Sequence, residues 1–357
     1  MTKIVAEGQR RLFRIYYYFC AINNYTHMKK VHLLFFTCTL CLFCACGEQP
    51  QSKLQQQPVS VIFDTDMSPD YDDVGALTML HAFADKGEAN ILATVSSNMY
   101  PNAVPCIEII NTYFNRPDIP LGAPRQGPNM VDPRFENMEY WPDVLPTKYP
   151  HKVKSSADAP DAVEVYRRIL AAQPDTSVTI VTVGFLTNLA ALLETSGDQY
   201  SDLNGSALVK KKVRMLVSMA GGFPRGREFN VMTDSTASVT VFNEWPTPVL
   251  LSGFEIGSQV ITGPRLVASE IQNSPIKDAF AMGLKLDVNG RQSWDQTAVL
   301  VAVCGPHQFF DTIRGRMIVQ SNGSNTWQDD QKGPHERLAW KKDELTRYIE
   351  DMMMYQP

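Results

Sequence analysis

The sequence has no block of basic residues, no nucleic-acid-binding motif and no internal repeat, and its net charge is −5. These absences exclude an electrostatic nucleic-acid partner and an array or propeller built from repeated units. Cysteine is nearly missing from the body of the chain: five of the seven lie in the first 46 residues, which leaves only Cys106 and Cys304. No paired Cys-x-x-Cys spacing suggests zinc, and two distant cysteines make no disulfide framework. Each is expected to be a small buried apolar residue. A membrane-spanning run is missing too, because the apolar stretch at residues 31–45 is too short to cross a bilayer comfortably.

That stretch follows Met28-Lys29-Lys30 and ends Leu42-Phe43-Cys44-Ala45-Cys46-Gly47. A short charged start and an apolar middle have the form of an export signal. Its ending resembles a bacterial lipoprotein signal, with leucine one place further upstream than usual. The expectation is an exported protein, lipid-anchored at the periplasmic face or the cell surface. A plain secretory signal or a short anchor is the alternative. Translation is expected to start at Met28, with residues 1–27 an extension. Residues 47–58 are Gln-rich and polar, a flexible tether. Residues 59–357 then form one large domain of ordinary apolar content.

What the sequence does contain begins at residue 59. The β-branched run 59–63 has the character of a buried parallel strand. Asp64, Asp66, Asp70, Asp72 and Asp73 then crowd ten residues around Ser68 and Pro69. Val74, Leu77, Met79 and Leu80 resume at helical spacing. The acids therefore sit between a strand's C-terminal end and a helix N-terminus, where open α/β sheets bind their ligands. A helix N-terminus offsets about 0.3–1 kcal/mol per charge, whereas a hard divalent cation offsets far more. Oxygen-only ligands point to calcium or magnesium, and a carboxylate-rich set favours calcium. A surface N-capping turn is the plainer alternative.

This stretch resembles the N-terminal signature of the inosine-uridine nucleoside hydrolases: a strand, Asp64-Thr65-Asp66, a loop, and Asp72-Asp73-Val74-Gly75-Ala76-Leu77. The loop is longer than the family's common form, and Asp70 is an extra acid. Two further segments carry the resemblance. One is Gly184-Phe185-Leu186-Thr187-Asn188 after an apolar strand at 178–183. The other is Glu228-Phe229-Asn230 followed by Asp234, with Trp294-Asp295 later. The three segments stand in the family's order and cover nearly all of the chain from residue 59 onward. The loop before Glu228 is shorter than usual and lacks an asparagine of the family. Trp294 replaces the family's histidine, usually assigned to protonating the leaving base.

The resemblance implies an α/β fold with an open, mostly parallel sheet flanked by helices around a Rossmann-like core. It implies calcium-dependent hydrolysis of an N-glycosidic bond of a ribonucleoside or related riboside, giving ribose and free base. Asp66, Asp73, the Val183 carbonyl and Asp295 would hold the metal, and Asp66 would also be the catalytic base. Asp72, Asn98, Glu228 and Asn230 would hold the ribose, and Trp294 would stack on the base. The partner is a small-molecule nucleoside or riboside, and self-association stays open. A calcium-dependent riboside-binding lipoprotein without turnover is one alternative. A haloacid-dehalogenase-like phosphatase, with Asp64 as nucleophile and Asp66 as acid, is another.

Elsewhere the pattern predicts strands at 90–97, 119–122, 213–219, 248–251 and 317–321. It predicts helices at 104–114, 161–172, 299–304 and 343–353. Residues 123–157 read as a long lid or binding loop. Glu228 to Asn230 reads as extended chain, with Phe229 turned away from the site. Glu255 reads as a surface carboxylate. His307 and His335 read as solvated loop residues.

Overall fold

The computed structural model describes residues 57–340 and 345–357. The expected extension and signal lie outside the described residues, as does most of the tether. Among the described residues no helix is long and apolar enough to cross a membrane.

Valine, isoleucine and leucine buried on both faces build a parallel sheet. Its strands in chain order are β1 (Val59–Thr65), β2 (Ala89–Ser96), β3 (Leu121–Gly122), β4 (Val178–Thr182) and β5 (Val213–Met219), followed by β6 (Arg225–Gly226) and β7 (Val249–Ser252). A separate antiparallel pair is β8 (Ile261–Thr262) and β9 (Arg291–Gln292). The chain closes the large sheet with β10 (Phe310–Val319), β11 (Asn325–Asp329) and β12 (His335–Trp340). The order across the sheet is β3-β2-β1-β4-β5-β7-β12-β10-β11-β6. Pairing is parallel from β3 through β12 and antiparallel beyond. One apolar cluster fills each face of the sheet. The fold class expected from the sequence is therefore the one observed.

β1 is the pivot. It pairs with β2 on one side and β4 on the other. The chain first builds outward to β3, then returns and continues on the opposite flank. Loops leaving the C-terminal ends of β1 and β4 diverge there and open a crevice. Gly184, just after β4, backs directly onto the β1 loop: a Cβ added to it would lie 2.3 Å from the Asp66 backbone nitrogen and 2.6 Å from Ser97 Oγ. The helix Asp72–Asp85 leaves the crevice buried on nearly every side, and the helix Trp294–Cys304 packs along it. Gly75 permits that approach, since a Cβ there would meet Gln296 Nε2 at 2.5 Å. This contact brings Asp295 beside Asp72 and Asp73.

Several expectations need correction. Residues 123–157 are not one irregular loop: Trp141–Lys148 is helical, with Pro142 in its first turn and Trp141 fully buried. Pro146 inside that helix hides it from a periodicity argument. The single late strand expected at 317–321 is the end of a ten-residue strand within an antiparallel extension. Its alternating polar residues weaken the strand signal. His335 lies in β12 and is buried, its Nδ1 accepting from the Met317 amide, and burial lowers its pKa to about 4. Cys106 is buried as expected, but Cys304 is exposed at its helix end.

Replacing Gly184 by alanine is expected to force β4 away from the Asp66 loop and to cost about 1–3 kcal/mol, as overpacked interiors do. Urea unfolding of the variant checks this, and unchanged stability would contradict the close approach.

Candidate active site

The loop from Thr65 to Asp72 is shaped by its own side chains. Thr65 Oγ1 donates to Asp73 Oδ1 and accepts from the Met67 amide. Ser68 takes a φ of 146°, a region that favours glycine. The Tyr140 hydroxyl holds it there by donating to the Ser68 carbonyl. Asn98 fastens the loop from behind. Its Nδ2 donates to the carbonyls of Asp66 and Met130, at 3.1 and 2.9 Å, and its Oδ1 accepts from the amides of Met130 and Tyr100.

In front of this loop lies a pocket of about 210 Å³. Asp66, Asp70 and Asp72 line it from the β1 loop, and Val183 from the end of β4. Glu228 and Asn230 come from beyond β5, Phe254 from beyond β7, and Arg291, Trp294 and Asp295 from β9 and the helix after it. An adjoining recess of about 250 Å³ shares Asp70, Phe229 and Arg291 and is walled by residues 131–134. A larger groove of about 590 Å³, between Gln126, Thr187 and Asp234, contains none of the crowded carboxylates. The crowded carboxylates line the smaller pocket.

The sequence-derived residues mostly meet there. Asp66, Asp72, Val183, Glu228, Asn230, Trp294 and Asp295 all line the pocket. Asp73 is fully buried beside it. Asn98 does not reach it, because all of its hydrogen bonds go to the loops it ties together. These bonds give Asn98 a positioning role in the loop that carries Asp66. Glu228 has extended backbone as expected, but Asn230 is helical. Glu228 caps the short helix Phe229–Thr233, accepting from the amides of Asn230 at 2.7 Å and Val231 at 3.1 Å. The helix can therefore start at Phe229, which lines the pocket instead of turning away. Asp64 is sealed beneath, bound to the Tyr166 hydroxyl and Asn188 Nδ2, and is no accessible nucleophile. Burial outweighs those bonds and raises its pKa to about 7.

The donor set suits a cation. Asp70, Asp73 and Asp295 can each bring one carboxylate oxygen within 4.8 Å of the other two. Asp73 Oδ2 is buried without a hydrogen-bond partner. An orphaned carboxylate oxygen is costly unless something pairs with it, and an all-oxygen set fits a hard ion. This trio contains Asp70 where the sequence reading had Asp66, which lines the pocket alongside.

The family model for the inosine-uridine preferring nucleoside hydrolases matches residues 61–352. The chain belongs to this family. Among curated relatives, it is 26% identical to a non-specific ribonucleoside hydrolase, RihC, of Escherichia coli over 58% of this chain and 66% of that one. It is 23% identical to the inosine-uridine preferring nucleoside hydrolase of Crithidia fasciculata, over 62% and 68%. The chain thus spans about two thirds of the length of either relative. A solved plant nucleoside hydrolase, PpNRh1, superposes with a TM-score of 0.61 at 21% identity, covering 83% of this chain and 99% of that one, which shows the shared fold.

Within this nucleoside hydrolase fold the site is dominated by buried negative charge. Burial first, then Asp70, raises Asp72 to about 8, with Arg291 pulling the other way. Burial and the neighbouring acids push Asp66, Asp73 and Asp295 well above the usual carboxylate range. Glu228 is raised by burial against three backbone amides. Arg291 is the cation that sequence reasoning missed. It is buried, pairs with Asp70 at 2.5 Å and Asp72 at 2.9 Å, and stands 5.0 Å from the Trp294 ring centre. A lone arginine before Trp294 carries no motif that could have marked it.

Carboxyls with raised pKa bind protons preferentially when folded, so deprotonation favours unfolding. Metal-free stability is expected to fall as pH rises from the ordinary carboxylate value of 3.8 up to Asp64 at about 7 and Asp72 at about 8, and a divalent cation held by these acids would flatten much of that slope. Thermal unfolding across this range, in chelator and in calcium, checks it. A pH-independent midpoint in chelator would contradict the buried-charge account.

Proposed function

We propose that this protein hydrolyses the N-glycosidic bond of a ribonucleoside or related riboside, dependent on calcium, releasing ribose and the free base. One observation carries the reading: residues from five separated segments converge on one pocket at the sheet's switch point, and three of those segments bring acids. About 210 Å³ suits a pentose more than a whole nucleoside. The base then extends past Trp294 and Phe254, which stack with ring centres 5.1 Å apart.

Asp66, Asp73, Asp295 and the Val183 carbonyl would hold the calcium. When bound, the ion supplies a Lewis acid that lowers the pKa of water and grips hydroxyl oxygens. Loss of a base from ribose passes through an oxocarbenium-like state, by analogy with glycoside cleavage. Asp66 takes the proton of the attacking water, its basicity kept high by burial and by Asp70, Asp72 and Glu228. Asp72, Glu228 and Asn230 hold the ribose hydroxyls. Asn230 Nδ2 is already committed to the Val183 and Met219 carbonyls, so its Oδ1 is the atom left to accept from substrate. Trp294 Nε1 donates to the Phe254 carbonyl at 2.8 Å. That bond fixes the indole as a stacking surface for an aromatic aglycone. It has no titratable proton to give the leaving group.

Purified protein with calcium and a nucleoside panel should release free ribose. Binding without release from any nucleoside would favour a riboside-binding protein instead. Asp66→Ala is expected to lower turnover by at least about 10²-fold, the usual worth of a general base. Undiminished ribose release would remove that assignment. Trp294→His is expected to raise purine nucleoside hydrolysis, measured as kcat. An unchanged kcat would mean that the leaving group is handled by another residue.

A further inference from the structure

We infer that Asp70, which the long loop between Asp66 and Asp72 adds to the site, is a further ligand of the metal. The inference rests on the metal reading given above and deepens it.

Three observations carry it. Asp70 forms, with Asp73 and Asp295, the one carboxylate trio among the described residues whose oxygens can all lie within 4.8 Å of one another. Asp73 Oδ2, inside that trio, is buried without a partner. Asp70 is also held in place from its other side. Its Oδ2 pairs with Arg291 Nη2 at 2.5 Å. The guanidinium is itself pinned, by Asp72 at 2.9 Å, by Asp287 at 3.7 Å and by the faces of Tyr71 and Trp294 at 5.3 and 5.0 Å. A ligating carboxylate oriented by a fixed hydrogen-bond donor is a recurrent design in metal sites.

The charge balance points the same way. Asp66, Asp70, Asp72 and Asp295 line the pocket with Glu228, and among the described residues Arg291 is the only cationic side chain that lines it with them. A further carboxylate here is a cost unless a divalent ion takes up the charge. As a fourth carboxylate ligand beside Asp66, Asp73 and Asp295, it also favours calcium, which accepts more oxygen ligands, over magnesium.

The test is calorimetric titration of the chelator-treated full chain with calcium alone, with thermal unfolding confirming that each variant is folded. Losing an outer-sphere partner already costs about 10- to 100-fold in metal affinity. Asp70→Asn should therefore weaken calcium binding at least tenfold and reduce the calcium-induced rise in unfolding temperature. Arg291→Gln should weaken calcium binding less than Asp70→Asn does, because the ligand itself stays and a repelling charge leaves with the donor that orients it. Asp73→Asn is the reference. If Asp73→Asn weakens binding and Asp70→Asn does not, the inference falls and the metal reading stands. Equal weakening by Asp70→Asn and Arg291→Gln overturns it too, since Asp70 would then act only through Arg291. A parent protein that takes up no calcium removes the metal reading itself.

Discussion

Like charges buried together are the constraint around which this molecule is arranged. Asp66, Asp72, Asp73 and Asp295 are all under 5% exposed and lie close together where burial penalises their charged forms. The fold confines them from several directions. Thr65 holds one oxygen of Asp73, Arg291 holds Asp70 and Asp72, and the Asp295 amide donates to Asp72 Oδ2. Hydrogen bonds of this kind orient carboxylates but do not neutralise them. A site built so costs stability when empty and gains it when a cation enters.

The position of the charges follows from topology. A parallel strand ends its backbone pairing at its C-terminal edge, and the chain must turn there. At β1 and β4 the turns diverge, which opens a crevice no side chain fills. The helix Trp294–Cys304, from late in the chain, lies along Asp72–Asp85 and delivers Asp295 to the same place. Close contacts at Gly75 and Gly184 set the distances. The geometry of the site thus depends on backbone packing as much as on the side chains that line it.

The parallel core was legible from sequence because it is apolar, β-branched and punctuated by acidic or glycine-rich turns. The segments around Asp66, Asn188, Glu228 and Asp295 were legible because each carries a fixed order of polar residues at a strand or helix end. The antiparallel extension was not, since β11 is mostly exposed and β12 buries only His335 and Leu338, so neither shows a period-two apolar pattern. Nor was the Trp141–Lys148 helix, whose prolines break the pattern. The loop-tying bonds of Asn98 were not legible, because a buried asparagine in a turn has the same sequence appearance whether it faces a ligand or a carbonyl. Arg291 was missed because its partners lie more than two hundred positions away in the chain, at Asp70 and Asp72.

The linkage through Asn98 and Tyr140 joins two parts of the molecule that function would otherwise keep apart. Asn98 grips the backbones of Asp66 and Met130 at once, and Tyr140 grips Ser68. The segment walling the outer recess is therefore mechanically continuous with the loop that carries the acids. Selectivity for what enters and the chemistry done on it share one scaffold, so drift in the outer wall is transmitted to the reacting centre. Diversification of such a protein toward new aglycones is confined to side chains on that wall, while its main-chain path stays as it is.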